Sequence, residues 1–201
     1  MRAADGRDGS GAEGLKPMDE RPEWDEYFLR LAELAATRST CLRRRVGALL
    51  VADRRVLATG YNGPPRGLPH CREAGCLRET LNIPSGQRHE MCRGIHAEQN
   101  TILQAAQHGV PIRQATLYCT HQPCAICAKM ILNLDVNRLV LLGDYPDELA
   151  LKLLREAGFA KEENGGFTIW NKENANGRSA QDGEVAPGAD SASPPPPACH
   201  E

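Results

Sequence analysis

The segment His96-Ala97-Glu98, followed downstream by Pro123-Cys124-Ala125-Ile126-Cys127, constrains this chain more than any other feature. One imidazole and two thiolates occupy three corners of a tetrahedral zinc and leave the fourth open to water. Two thiolates balance the charge of the ion, which still lowers the pKa of bound water towards ~7. The fold must therefore carry both segments to one point. Glu98 lies two residues beyond His96, so on a helix the two side chains take different faces. The carboxylate then misses the metal and still reaches the water beside it. Pro123 suits a helix start, because it gives up an amide hydrogen that would be orphaned there. First-turn amides and the positive end of the helix dipole favour thiolate over thiol.

Either half alone is a weak signal. A lone C-x-x-C fits half of a structural zinc site, a redox pair or two buried thiols, and a lone H-x-E carries almost nothing. In this order and separation, each half opens an amphipathic stretch. Together they form the H-x-E…P-C-x-x-C pairing of zinc-dependent deaminases.

Composition agrees with one enzyme domain: 201 residues, 41% of them hydrophobic, suffice for a single sizeable core. No run approaches the ~18 apolar residues of a membrane span. The N-terminal MRAADGRDGSGAEG has no apolar stretch, so a cytoplasmic rather than a secreted protein is expected. In a reducing compartment, metal ligation is a better use for most of the eight cysteines than disulfides. A net charge of −2 gives no global attraction to a polyanion and favours a small nucleotide over tRNA or DNA.

Residues 1–20 and 172–201 are poor in large apolar side chains and are expected to be disordered, flanking a folded domain over 21–171. Cys199 and His200, in the second of these segments, read as exposed bystanders. Trp24, Tyr27, Phe28, Leu31, Leu34 and Ala35 recur at helical spacing and predict a helix over 22–38. Val46–Val51 and Val56–Thr59 predict a hairpin across Ala52–Arg55. A long polar excursion runs from Tyr61 to about Gly94. Helices are expected at His96–Gln107, Cys124–Asn133 and Glu148–Ala157, and strands at Ala115–Thr120, Asn137–Leu142 and Phe167–Trp170. This order implies an α/β fold with a mixed sheet covered on both faces. The zinc motifs would open two helices packed side by side beneath it.

The stretches STCLRRRVGALLV, ATGYNGPPRGLPHC, CRGIHAEQNTILQAA and ATLYCTHQPCAICAKMI resemble the deoxycytidylate (dCMP) deaminase family, bacterial type, within the zinc-dependent cytidine/deoxycytidylate deaminase superfamily. HAEQN and QPCAICA alone would fit several nucleotide and nucleobase deaminases; the GYNGPPRG loop narrows the choice. The resemblance spans roughly residues 24–160. It implies a cytidine-deaminase-like three-layer α/β/α sandwich and hydrolysis of dCMP to dUMP and ammonia, supplying thymidylate synthesis. His96, Cys124 and Cys127 occupy its zinc positions and Glu98 its proton-shuttle position. It also implies a homo-oligomer, with dCTP and dTTP as candidate effectors.

Other residues are less determined. Asn62 is a candidate sugar-hydroxyl contact, although N-G is a common turn pair. Tyr61 is a candidate packing ring for base or sugar, or an ordinary half-buried tyrosine at a strand end. Arg43, Arg44 and Arg45 offer phosphate contacts, with at least two of the three reading as a solvated charge run. Gln99 and Asn100 need do no more than face solvent. Backbone amides near Ala125–Ala128 would support the thiolates.

A second cluster, His70, Cys71, Cys76, His89 and Cys92, crowds the polar excursion, with Cys41 arriving from just before the first strand. Long loops need an internal staple, and a second, structural zinc would provide one. Some dCMP deaminases carry such a zinc, and Cys41 and Cys71 match positions used there. The candidate ligands are Cys41, Cys71, His89 and Cys92, with Cys76 as substitute; a metal-free thiol cluster is the alternative. Three other functions use parts of the same pattern. A deaminase of another cytosine or adenine nucleotide, or of tRNA adenosine, would share the HAE and PCxxC motifs. A zinc-stabilised nucleic-acid-binding module needs a basic face that the charge balance does not supply. A dithiol oxidoreductase would have no use for Glu98.

Overall fold

Hydrophobic residues on both sides of the first strand divide the core in two, and the layering follows from that division. The computed structural model describes residues 21–145 and 147–173, so the expected terminal segments, Cys199 and His200 included, lie essentially outside the described residues. In chain order the elements are α1 (Trp24–Ala36), β1 (Gly47–Ala52), β2 (Arg55–Tyr61), α2 (Cys71–Ala74), α3 (Leu77–Thr80), α4 (Ala97–Gln107), β3 (Ala115–Cys119), α5 (Ala125–Leu132), β4 (Val136–Leu141), α6 (Glu148–Glu156), β5 (Phe159–Asn164) and β6 (Phe167–Lys172). The strands form one sheet in the order β2-β1-β3-β4-β6-β5. β3 and β4 are parallel, with α5 as their crossover, and the remaining pairs are antiparallel. The expected mixed sheet is therefore present.

Strand side chains alternate between the two faces. Leu49, Val51, Tyr118, Val140 and Ile169 pack against Phe28, Leu29 and Ala32 of α1. Ala48, Leu50, Leu117, Cys119, Leu139 and Leu141 belong to the other core, with Ala97 and Ala105 of α4, Cys127 and Ile131 of α5, and Leu154 of α6. The result is the α/β/α sandwich. An ion pair fastens α1 to the sheet: Arg138 donates to both oxygens of Asp25 at 2.7 and 2.6 Å, and Tyr118 adds its hydroxyl at 2.8 Å. Burial works against the charge, yet these donors hold the Asp25 carboxyl below its usual range.

Two glycines set how closely the helices approach. A Cβ on Gly47 would lie 2.0 Å from the Ala32 carbonyl oxygen, and one on Gly60 would lie 2.5 Å from the Thr101 amide nitrogen. α1 thus rests on the backbone of β1, and α4 on that of β2. The hairpin between these strands pairs Ala52 with Arg55. It leaves Asp53 and Arg54, both at positive φ, as the two-residue turn whose twist suits adjoining strands.

The structure adds elements that periodicity does not reveal. The polar excursion contains α2, α3 and a 3-10 turn at His89–Met91, all too short to show a helical repeat. β5 was not expected, because only Phe159 among its six residues is buried. It is an edge strand, and the available signal was the Gly165-Gly166 turn, both residues at positive φ, leading into β6. Among the described residues no helix is long and apolar enough to cross a membrane.

Candidate metal centre

His96 is the residue on which α4 begins, and Cys124 the one on which α5 begins; both have extended backbones. Neighbouring side chains fix these two starts. The His96 amide donates to Gln99 Oε1 at 2.8 Å, and Gln99 Nε2 reaches the Met130 sulfur of α5 at 3.8 Å. Asn100 Nδ2 donates to the Tyr61 carbonyl at 3.0 Å, tying α4 to the end of β2. Gln99 and Asn100 are therefore inward-facing braces rather than solvent-facing positions. The start of α5 is held by Asp147, whose Oδ2 accepts from the Ala125 amide at 2.9 Å while Oδ1 accepts from Ala150 of α6 at 3.0 Å. One carboxylate thus caps two helices.

The three expected donors meet. His96 Nδ1 lies 3.4 Å from the sulfur of Cys124 and 3.4 Å from that of Cys127. Their ligand atoms all lie within 4.8 Å of one another, and no other His, Cys, Asp or Glu group among the described residues does so. Both cysteines are buried. A thiol donated by Cys127 pulls Cys124 down to about 4, assisted against burial by His96 and the Cys127 amide. That amide belongs to the first turn of α5, the segment from which support was expected. The same hydrogen bond, with burial and the Glu98 charge, pushes the Cys127 thiol up. Burial depresses His96, but the Cys124 hydrogen bond and the nearby Glu98 outweigh it, and the net shift is upward. A nitrogen facing two sulfurs, one of them a ready thiolate, is a donor set that suits zinc.

Glu98 is 4% exposed and stands outside the ligand group while bordering the same cavity. Burial raises its pKa, so this carboxyl is suited to carry a proton nearer neutrality than an exposed glutamate. Asn62 also lines the cavity, but its side chain is largely committed. Its Oδ1 accepts from Val46 at 2.8 Å and its Nδ2 donates to the Arg44 carbonyl at 2.9 Å. Arg43 and Arg44 reach the cavity, whereas Arg45 does not border it. Tyr61 borders a different hollow beside α4, with Asn100, Gln104 and His108, away from the metal donors.

Sequence reasoning did not single out Arg78, His121 or Tyr145 as cavity residues, and no spacing pattern marks them. Thr120 Oγ1 accepts from the Gly47 amide at 3.2 Å and lies 3.1 Å from His121 Nδ1. Burial and then the Arg44 charge keep His121 below its usual pKa.

The second cluster borders this cavity too, through Cys41, Cys71, Cys76 and Cys92. Burial raises the Cys71 thiol, as do Cys41, Cys92 and Cys76 in turn. His89 stands edge-on to His96 with ring centres 4.9 Å apart, and its Nε2 lies 3.1 Å from the Tyr145 hydroxyl. Its Nδ1 is buried without a partner. The ligand atoms of Cys41, Cys71, His89 and Cys92 do not all fall within the 4.8 Å span that the first group meets.

Residues 22–143 match the cytidine and deoxycytidylate deaminase zinc-binding region, and the chain belongs to that family. It is 43% identical over 148 residues to a deoxycytidylate deaminase of Schizosaccharomyces pombe, a match covering 73% of this chain and 46% of the yeast protein. The chain thus spans about half the length of that relative. A deoxycytidylate deaminase of Mycobacterium phage D29 is 41% identical over 133 residues, covering 64% of this chain and 98% of the phage protein. In structure, the chain resembles the dCMP deaminase of cyanophage S-TIM5, crystallised in complex with dCMP and dUMP. That likeness has a TM-score of 0.55 at 29% identity, covering 68% of this chain and 93% of the other.

Because only three protein donors meet here, removing either sulfur should empty the centre. Metal analysis of purified Cys127→Ser should find one zinc fewer per chain than in the wild type. Unchanged zinc content would place the metal elsewhere.

Proposed function

We propose that this chain is a hydrolytic deaminase that converts dCMP to dUMP and ammonia, as a cytoplasmic step towards thymidylate. One observation carries this reading: a buried glutamate, Glu98, stands beside a His/Cys/Cys donor set without belonging to it. A purely structural zinc gives such a carboxyl no purpose. The names of the yeast and phage relatives support dCMP as the substrate, and the net charge of −2 argues against a polyanion.

Zinc held by His96, Cys124 and Cys127 would supply Lewis acidity and lower the pKa of a water molecule. The remaining steps fall to the chain. Glu98 takes one proton from the attacking water as oxygen adds to C4 of the cytosine and delivers it to N3, then takes the second from the new C4 hydroxyl and delivers it to the departing amine. Water is consumed and ammonia leaves, so the carboxyl ends as it began. Asn62 contributes a sugar contact with the bonding capacity that Val46 and Arg44 leave it. The active form is a homo-oligomer, with dCTP and dTTP as its candidate effectors.

A second, structural zinc on Cys41, Cys71, Cys92 and His89 completes the reading. The unpartnered His89 Nδ1 and the Cys71 thiol raised by its cysteine neighbours support it, with Cys76 the reserve ligand. Closing that set draws the ligands nearer than they stand here. Wild-type protein should then hold two zinc ions per chain and Cys71→Ser one, with a lower melting temperature, since a structural zinc adds folding free energy. One ion in both would leave only a cluster of reduced thiols.

Glu98→Gln keeps the size and burial of the side chain but removes the proton carrier. It should retain wild-type zinc content while dCMP turnover falls about 10²–10⁴-fold. Near-normal turnover would end the proton-carrier role.

A further inference from the structure

Arg78 is 9% exposed, and among the described residues its guanidinium has no carboxylate partner. Its Nη2 donates to the carbonyls of Pro84 at 2.9 Å and Gln87 at 2.6 Å, while its Nε is buried with no partner at all. A cation taken out of water without a counter-charge is costly, and an unsatisfied N–H adds to the cost. Part of the side chain has a plain structural use, holding the loop before the 3-10 turn. That use does not account for the idle Nε, and Arg43 already grips the same loop through the Ile83 carbonyl at 2.9 Å.

The surroundings show what is missing. Arg78 borders the cavity that holds His96 and Glu98, and Ser85 of the gripped loop borders it too. Arg43 and Arg44 add two further cations, whereas Glu98 is the only carboxylate among the described residues lining it. The cavity is therefore cationic in a chain whose net charge is −2. Of the parts of a cytidylate, only the phosphate is an anion.

Building on the dCMP reading above, we propose that Arg78 receives the 5′-phosphate of the nucleotide through its free edge, while Nη2 keeps the Pro84–Gln87 loop in place. Arg78 is then the residue that separates nucleotide from nucleoside. Guanidinium is suited to this, since its planar donors match phosphate oxygens in charge and geometry.

The test compares zinc-loaded wild type, Arg78→Lys and Arg78→Gln on dCMP and deoxycytidine. If deoxycytidine turnover is too slow, the affinities of dUMP and deoxyuridine give the same ratio. The preference for the phosphorylated compound should fall about 10–100-fold in Arg78→Gln, chiefly through KM, as expected for loss of a charge-assisted hydrogen bond. Inorganic phosphate should compete with dCMP in the wild type and lose potency in both variants. Equal losses on both compounds would reduce Arg78 to a loop staple and overturn the proposal. Should Arg78→Gln fail to melt cooperatively or to hold zinc, Arg78→Lys and wild-type competition decide. Absence of phosphate competition in the wild type overturns the proposal. A wild type that deaminates neither compound refutes the dCMP reading alone. Calorimetry with inorganic phosphate then settles the anion site: saturable binding weakened in Arg78→Lys sustains it, and no binding overturns it.

Discussion

The imidazole of His96 meets two sulfurs because two helices, from distant parts of the chain, begin at the same point in space. Everything chemical in this protein depends on that coincidence. Neither helix start is positioned by its own sequence alone. Gln99 braces the first against Met130, Asn100 ties it to Tyr61, and Asp147 clamps the second to the start of α6. These are short polar contacts at the edge of a hydrophobic core, where water competes little for them.

The sheet explains why the two starts coincide. β3 ends at Cys119, the chain turns through Thr120–Pro123, and α5 returns to β4, which is parallel to β3. Cys124 therefore sits just beyond the end of a buried strand, where backbone amides at the opening of a helix favour negative charge. α4 reaches the same place only because Gly60 lets it lie directly on β2. A side chain there would push Ala97 and Thr101 outward, and His96 with them.

What could be read from the sequence was the local part. His96, Glu98, Cys124 and Cys127 stand at fixed spacings with helical periodicity behind them, and short apolar runs in β1, β3 and β4 announce buried strands. Other features have no such signature. β5 is exposed at five of six positions, so it lacks the apolar pattern of a strand and exists because β6 offers an edge. Arg78, His121 and Tyr145 reach the cavity from three separate segments, and only the fold brings them together. Tyr61 shows the reverse. It neighbours Asn62 in sequence, but alternation along β2 sends its ring to another hollow.

The proposed reaction rests on the buried Glu98 beside the metal donors, and its substrate is the point on which that proposal turns. Steady-state deamination of dCMP, CMP, dCTP and cytidine by one zinc-quantified preparation, following dUMP and ammonia together, tests it directly. Equimolar dUMP and ammonia, with dCMP turned over more efficiently than the other three compounds, is the expected result. No release of ammonia from any cytosine compound by protein holding its zinc would contradict it.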